Sequence, residues 1–243
     1  MNQNLKSPIS IMVSLGAALL SLRLRLYAAA VDEKNLLISG HWLSYVIWAA
    51  AVLGMAFAVL SALRSKEEKR IYITGPIAAL GEGLLALVIC WCVLAMEEPA
   101  SLLEKARNGM GFLSAVCLLM GAYRRATGKT AFWGCYCALC LFFALYLVSI
   151  YQVWSSNPQL MDYICALLAC VALTLLAYQN AALSVGIGSR RIWLASGLAA
   201  VCFGIGAVCG GNPMLLYIGG AGWALTNLIG AAAPRNRYEE GER

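Results

Sequence analysis

Eight apolar segments follow one another along the chain, separated by short polar stretches that carry most of the charge. They comprise residues 8–30, 42–63, 71–96, 108–123, 131–154, 160–183, 192–209 and 213–232. A bilayer core about 30 Å thick requires about 20 helical residues, and it offers no partner to an unpaired backbone amide. The sequence therefore predicts an all-α, polytopic helical membrane bundle of about eight transmembrane helices.

The fourth segment is the shortest, because its apolar part, 110–123, is only about 14 residues long. It is either a full span, if residues 101–108 extend the helix, or a re-entrant segment.

Composition indicates that the whole chain belongs to the membrane. Of its 243 residues, 61% are hydrophobic and 12% are charged, whereas soluble domains are about half apolar and about a quarter charged. The longest polar stretch, 97–107, has about a dozen residues, which is too few for an independent domain. We therefore expect residues 1–243 to form a single integral-membrane domain in contact with the lipid bilayer.

Basic residues predict the orientation, because loops rich in Lys and Arg are retained in the cytoplasm. The 18 basic residues divide about 13 to 5 between the two sides of the eight-span arrangement. This split predicts a multi-pass protein of the cell membrane with cytoplasmic N- and C-termini. The net charge of +6 is then a topology signal and indicates no nucleic-acid partner.

The N-terminus also resembles a signal peptide, with Lys6, an apolar run and then Ala28, Ala29 and Ala30. Arg23 and Arg25 lie where such a peptide has no charges, so we expect the first span to be retained. Cleavage would leave seven spans in the same orientation.

A weak internal repeat relates the two halves of the chain at an offset of 121, since 70–73 and 191–194 both read Arg-Ile-aromatic-aliphatic. It predicts a parallel four-plus-four arrangement of halves 1–121 and 122–243. The alternative is chance similarity between helices rich in Ala, Leu and Gly.

Glu82 is the one carboxylate well inside a predicted span, about 16 Å from Ile71 at 1.5 Å per residue. Buried intramembrane acids commonly serve proton relays, ion sites or substrate contacts. The alternative is a neutral structural Glu. Gly75-Pro76 interrupts the same helix, and Gly81 and Gly83 permit close approach of a neighbour or ligand.

Amides at comparable depth are candidate partners of Glu82. Gln179 and Asn180 lie in the sixth predicted span, and Thr226 and Asn227 lie in the eighth. We assign Glu82, Gln179, Asn180 and Asn227 to a candidate substrate or ion-coupling site. Each amide alone is equally compatible with a bridge between helices.

Arg23 and Arg25 end the first span on the outer side and, two residues apart, face different directions. One can extend to lipid headgroups while the other points into the bundle, near acidic residues of the outer side. They form a candidate contact for an anionic ligand or lipid.

The ten cysteines lie in predicted spans, and Cys137 and Cys140 form a C-x-x-C. Quinone-linked thiol enzymes also need loop cysteines, so we expect these thiols to behave as small hydrophobic groups. With a single histidine, His41, bis-histidine haem and histidine-rich zinc sites are excluded. We expect no catalytic site, metal or cofactor.

These features predict a transporter or permease subunit for a small solute or ion. One alternative is a non-catalytic scaffold or regulatory subunit that docks on a protein partner or forms a homo-oligomer. A third is a membrane-embedded enzyme acting on lipids or thiols.

The eight-span arrangement makes a direct topological prediction. Reporter domains fused after Asn157 and after Arg237 should lie on opposite sides of the membrane, because an odd number of predicted spans, three, lies between them. Reporter activity in intact cells measures this, and signals from the same side would contradict the arrangement.

Overall fold

The computed structural model describes residues 3–29, 41–65, 75–95, 101–129, 132–155, 163–209 and 214–232. Within these ranges it contains eight α-helices and no strand. The helices are α1 (Gln3–Ala29), α2 (Trp42–Arg64), α3 (Pro76–Ala95), α4 (Leu102–Ala126), α5 (Trp133–Ser155), α6 (Ile164–Val185), α7 (Arg190–Gly206) and α8 (Met214–Ala232), with a 3₁₀ turn, Ala207–Cys209, continuing α7. The predicted all-α bundle is confirmed.

Seven of these helices, all except α4, are long and apolar enough to cross a bilayer. They indicate a multi-pass membrane protein whose exposed faces meet lipid. The four-plus-four duplication and the side on which each terminus lies stay predictions.

The α4 helix is longer than its apolar segment, because residues 102–108 extend it towards the N-terminus. Its 25 residues span about 37 Å at 1.5 Å per residue. Ser101 and Glu104 form a capping box, in which each side chain accepts a backbone N–H of the other residue. The charged ends, rather than a short length, therefore make α4 less apolar than its neighbours.

The α3 helix begins at Pro76, five residues later than predicted, and residues 66–74 lie outside the described ranges. Gly75 has a φ of +120°, which glycine adopts without steric cost, and proline is favoured in the first turn. Glu82 thus lies about 9 Å from the start of α3 rather than about 16 Å. The carboxylate is closer to one end of the bundle than the sequence suggested.

Helices α3 to α8 form a closed ring, in which each packs against the next and α8 packs against α3. Helices α1 and α2 pack against each other and against the outside of the ring at α7. The ring brings the start of α3, the end of α4, the start of α5 and the end of α8 to the same end of the bundle. The four charged and polar side chains described below lie at these four helix ends and contact one another there.

The contact between α3 and α8 is close at Gly81. A Cβ atom placed on Gly81 would lie 1.8 Å from the Thr226 Oγ1 and 2.7 Å from the Thr226 Cβ, both far inside van der Waals contact. Gly83, two residues later, has nothing within 4 Å of the equivalent position. Of these two flanking glycines, Gly81 is thus the one that the packing of α8 requires.

This difference predicts opposite outcomes for two alanine substitutions. Gly81→Ala should lower the free energy of unfolding by about 1–3 kcal/mol, because the extra methyl group forces α3 and α8 apart. Gly83→Ala should be neutral or slightly stabilising, because alanine has the higher helix propensity. Thermal unfolding of the purified proteins in detergent measures both, and equal stabilities would contradict the close contact.

Candidate functional site

Glu82 is completely buried, with 0% of its side chain exposed. Its Oε1 accepts a hydrogen bond from the Tyr136 hydroxyl at 2.5 Å. The same oxygen lies 3.2 Å from the Arg125 Nε, an ion pair between α3 and α4. The carboxylate therefore has one oxygen held by two neighbouring helices.

Arg125 connects this carboxylate to a fourth helix. Its Nη1 donates to the Asn227 Oδ1 of α8 at 2.8 Å, and its Nη2 donates to the Tyr136 hydroxyl of α5. The guanidinium also lies over the Tyr136 ring, with 5.4 Å between Cζ and the ring centroid. We call Glu82, Arg125, Tyr136 and Asn227 the Glu82 cluster.

All four members of the Glu82 cluster are buried, with at most 3% exposed. Arginine stays protonated in proteins, and Glu82 balances its charge when the carboxyl group is ionised. A buried ion pair attracts strongly where little water screens it, but transferring both charges from water costs several kcal/mol. Such a pair therefore adds little net stability to the fold. Its presence instead indicates a candidate functional site.

Polar atoms of the Glu82 cluster remain without a hydrogen bond among the described residues. These atoms are the Glu82 Oε2 and the Asn227 Nδ2, and the Arg125 Nε faces Glu82 without hydrogen-bond geometry. Buried polar groups normally find a partner, and an unpartnered one costs about 1–3 kcal/mol. The cluster thus has one spare acceptor, on Glu82, and spare donors, on Asn227 and Arg125.

The structure unites only part of the predicted coupling site. Asn227 belongs to the Glu82 cluster through Arg125. Gln179 instead accepts the Ser189 backbone N–H at 3.2 Å, and Asn180 accepts the Trp193 indole N–H at 2.9 Å. These two amides hold α6 against the start of α7, which is the helix-bridging role that the sequence left open.

Trp193 is buried although it lies near the start of α7. Its side chain is 1% exposed, and its indole N–H donates to the Asn180 Oδ1. Packing of α7 at the junction of the ring with α1 and α2 buries it.

Arg125 and Tyr136 are not among the site residues that the sequence predicts. Arg125 follows the predicted apolar segment 108–123, but α4 continues to Ala126. The buried face of α4 consists of Gly111, Ser114, Ala115, Leu118, Gly121 and Arg125. Extending this spacing of three and four residues by one more turn would have placed Arg125 on the buried face.

A second buried polar group lies deeper in the ring. Tyr146 and Tyr217 are 1% and 2% exposed, and the Cys170 thiol lies 3.9 Å from the Tyr217 hydroxyl. Tyr146 interacts electrostatically with Cys170, Tyr217 and Cys92, and its hydroxyl faces the Tyr217 hydroxyl. We call Cys92, Tyr146, Cys170 and Tyr217 the tyrosine layer.

The tyrosine layer and the Glu82 cluster lie on the same helices. Cys92 follows Glu82 in α3, Tyr146 follows Tyr136 in α5, and Tyr217 precedes Asn227 in α8, each by ten residues or about 15 Å. Beyond the tyrosine layer, the Arg107 Nη1 of α4 donates to the Ser149 hydroxyl of α5 at 2.9 Å. Buried or half-buried polar groups thus recur at three levels along the ring.

The two arginines of α1 face different directions, as predicted. Arg23 is 2% exposed, and its Nη1 donates to the Gly206 carbonyl at the end of α7 at 2.8 Å. Arg25 is exposed. The acidic residues proposed as partners, Asp32, Glu33, Glu97, Glu98 and Asp162, lie outside the described residues, so the predicted outer contact for an anion or lipid stays a prediction.

The cysteines and the histidine have positions compatible with structural roles. All ten cysteines, Cys137 and Cys140 included, carry free thiols. The His41 Nδ1 accepts the Leu43 N–H and caps α2. Among the described residues, no three His, Cys, Asp or Glu side chains come together as a metal site would need.

No protein-family model, curated protein or solved structure matches this chain.

The ion pair predicts strong coupling between Glu82 and Arg125. Glu82→Gln and Arg125→Gln should each lower the free energy of unfolding by about 3–5 kcal/mol, because each leaves a buried charge unpaired. The double variant should lose about 1–3 kcal/mol less than the sum. Denaturant unfolding of the four proteins in mixed micelles measures this double-mutant cycle, and strictly additive losses would contradict a direct pair.

Proposed function

We propose that this protein is a small transporter or permease subunit for a small solute or ion, in which Glu82 is the coupling or binding residue. We further propose that it works in the cell membrane with both termini in the cytoplasm. The observation that carries the proposal is the fully buried Glu82–Arg125 pair, shared by four helices and retaining unpartnered polar atoms.

Energetics favour a role other than packing for this pair. Apolar side chains of similar volume often stabilise a protein as well as a buried ion pair does, or better. A chain with only two described carboxylates, Glu82 and Glu104, nevertheless keeps one of them at 0% exposure inside the bundle. Intramembrane charges of this kind typically belong to ion, proton or substrate pathways.

The arrangement of polar groups supports a route through the ring. The Glu82 cluster lies towards one end, the tyrosine layer about 15 Å deeper, and Arg107 with Ser149 beyond it. A solute or ion that crosses the bilayer needs hydrogen-bonding groups at successive depths, since each replaces part of its hydration. The ring of α3 to α8 provides such groups on facing helices.

A second candidate function is a non-catalytic scaffold or regulatory subunit. The observation that favours it is that Arg125 neutralises Glu82 in a site with no exposed carboxylate surface. In this role the pair would fix the register of α3, α4, α5 and α8, and its charges would have no function beyond that structural one.

The two functions predict different behaviour of an apolar replacement of the pair. The Glu82→Leu/Arg125→Met double variant should fold at least as stably as Glu82→Gln, because it removes both buried charges together. A transporter should then lose coupled flux. A scaffold should keep its docking on the protein partner. Flux is measured in proteoliposomes containing a pH-sensitive dye, with gradients of monocarboxylates, amino acids and alkali-metal cations applied one at a time.

Ser114→Ala is the matched control, because Ser114 is a buried α4 side chain whose hydroxyl, among the described residues, bonds only to Met110 of its own helix. This control should transport like the wild type. Wild-type protein without flux of any of these solutes, or a folded double variant with unchanged flux, would refute the proposed role of Glu82.

A further inference from the structure

The Glu82 cluster has no net formal charge, because it contains one carboxylate and one guanidinium. A proton added to Glu82 alone would leave one uncompensated positive charge in a buried site. An anion added alone would leave one uncompensated negative charge. Only the two together preserve neutrality, and buried sites strongly penalise an unbalanced charge.

The groups around Glu82 are hydrogen-bond donors suited to a carboxylate. The Tyr136 hydroxyl and the Arg125 Nε face the Glu82 Oε1 at 2.5 Å and 3.2 Å. The Asn227 Nδ2 is a further buried donor without a partner. Arg125 can therefore bind a second carboxylate once its own has been neutralised, since its planar guanidinium matches that group.

On the basis of the proposed transport function, we propose that the Glu82 cluster binds a proton and a small carboxylate anion together. The proton, taken from water, forms an O–H bond at the unpartnered Glu82 Oε2. The anion binds to Arg125, with Tyr136 and Asn227 as additional donors. Release reverses both steps, so the net movement is that of a neutral acid.

Among the described residues, few other groups near Glu82 can take up this proton. Around Glu82, α4 supplies Arg125, α5 supplies Tyr136 and the Cys135 thiol, and α8 supplies the uncharged Asn227 and Thr226. The second described carboxylate, Glu104, lies in the first turn of α4, at the opposite end of that helix from Arg125. Glu82 is thus the carboxylate among the described residues that faces Arg125.

The test measures anion binding to the purified full chain in detergent, by its effect on thermal unfolding. Sodium acetate and sodium lactate are the probes, each compared with sodium chloride at equal ionic strength. For the wild type, the apparent affinity for a carboxylate should rise about tenfold for each unit by which pH falls, because one proton binds with each anion.

Glu82→Gln mimics the protonated acid and should bind the carboxylates at every pH, because no carboxylate of the cluster then balances the positive charge of Arg125. Glu82→Gln/Arg125→Gln should respond to them no more than to chloride, and Ser114→Ala should behave as the wild type. Should Glu82→Gln fail to fold, Tyr136→Phe provides the second test. It should bind several-fold more weakly with the same pH slope, because one donor is lost.

Two results would overturn this inference. One is a carboxylate affinity of the wild type that does not vary with pH. The other is a Glu82→Gln protein that acetate and lactate stabilise no more than chloride does. Failure of this inference is distinct from failure of the proposed function. Flux of another solute that depends on Glu82, without carboxylate binding, refutes only the paired binding of proton and anion. Carboxylate binding with the expected pH slope, but without flux, supports the site and refutes transport.

Discussion

The ion pair between Glu82 and Arg125 constrains the rest of the bundle, because neither charge can be buried alone. A single uncompensated charge in this interior would cost several kcal/mol. Formation of the pair requires α3 and α4 to face each other at one depth, and Tyr136 and Asn227 add α5 and α8 to the same level. Polar pairing therefore sets which helices are neighbours at this end of the ring.

Close backbone approach makes this pairing geometrically possible. Helices in a bilayer gain little from hydrophobic exclusion, so they associate through packing and interhelical hydrogen bonds. Gly81 lies against Thr226, and each is the chain neighbour of a cluster member, Glu82 and Asn227 respectively. A larger residue at Gly81 would separate α3 from α8 at the level where Arg125 reaches Asn227.

Sequence patterns anticipated the class of structure better than the membership of the site. Long apolar segments predicted helices because the bilayer leaves the backbone no alternative. Glu82 was identifiable because its charge contradicts its surroundings. Arg125 and Tyr136 were not, since an arginine beside the end of an apolar segment resembles an ordinary loop residue. The spacing of buried residues along α4 carried the missing information.

The sequence by itself determined the all-α membrane bundle, the approximate positions of its helices and the placing of the Glu82 carboxylate within an apolar helix. All of these follow from local composition measured against the thickness and dielectric properties of a bilayer. The tertiary structure decided which amide joins Glu82, assigning Asn227 to its cluster and Gln179 and Asn180 to the α6–α7 contact. Residue spacing within one helix fixes a face and a depth, but only the packing of the ring fixes which faces meet.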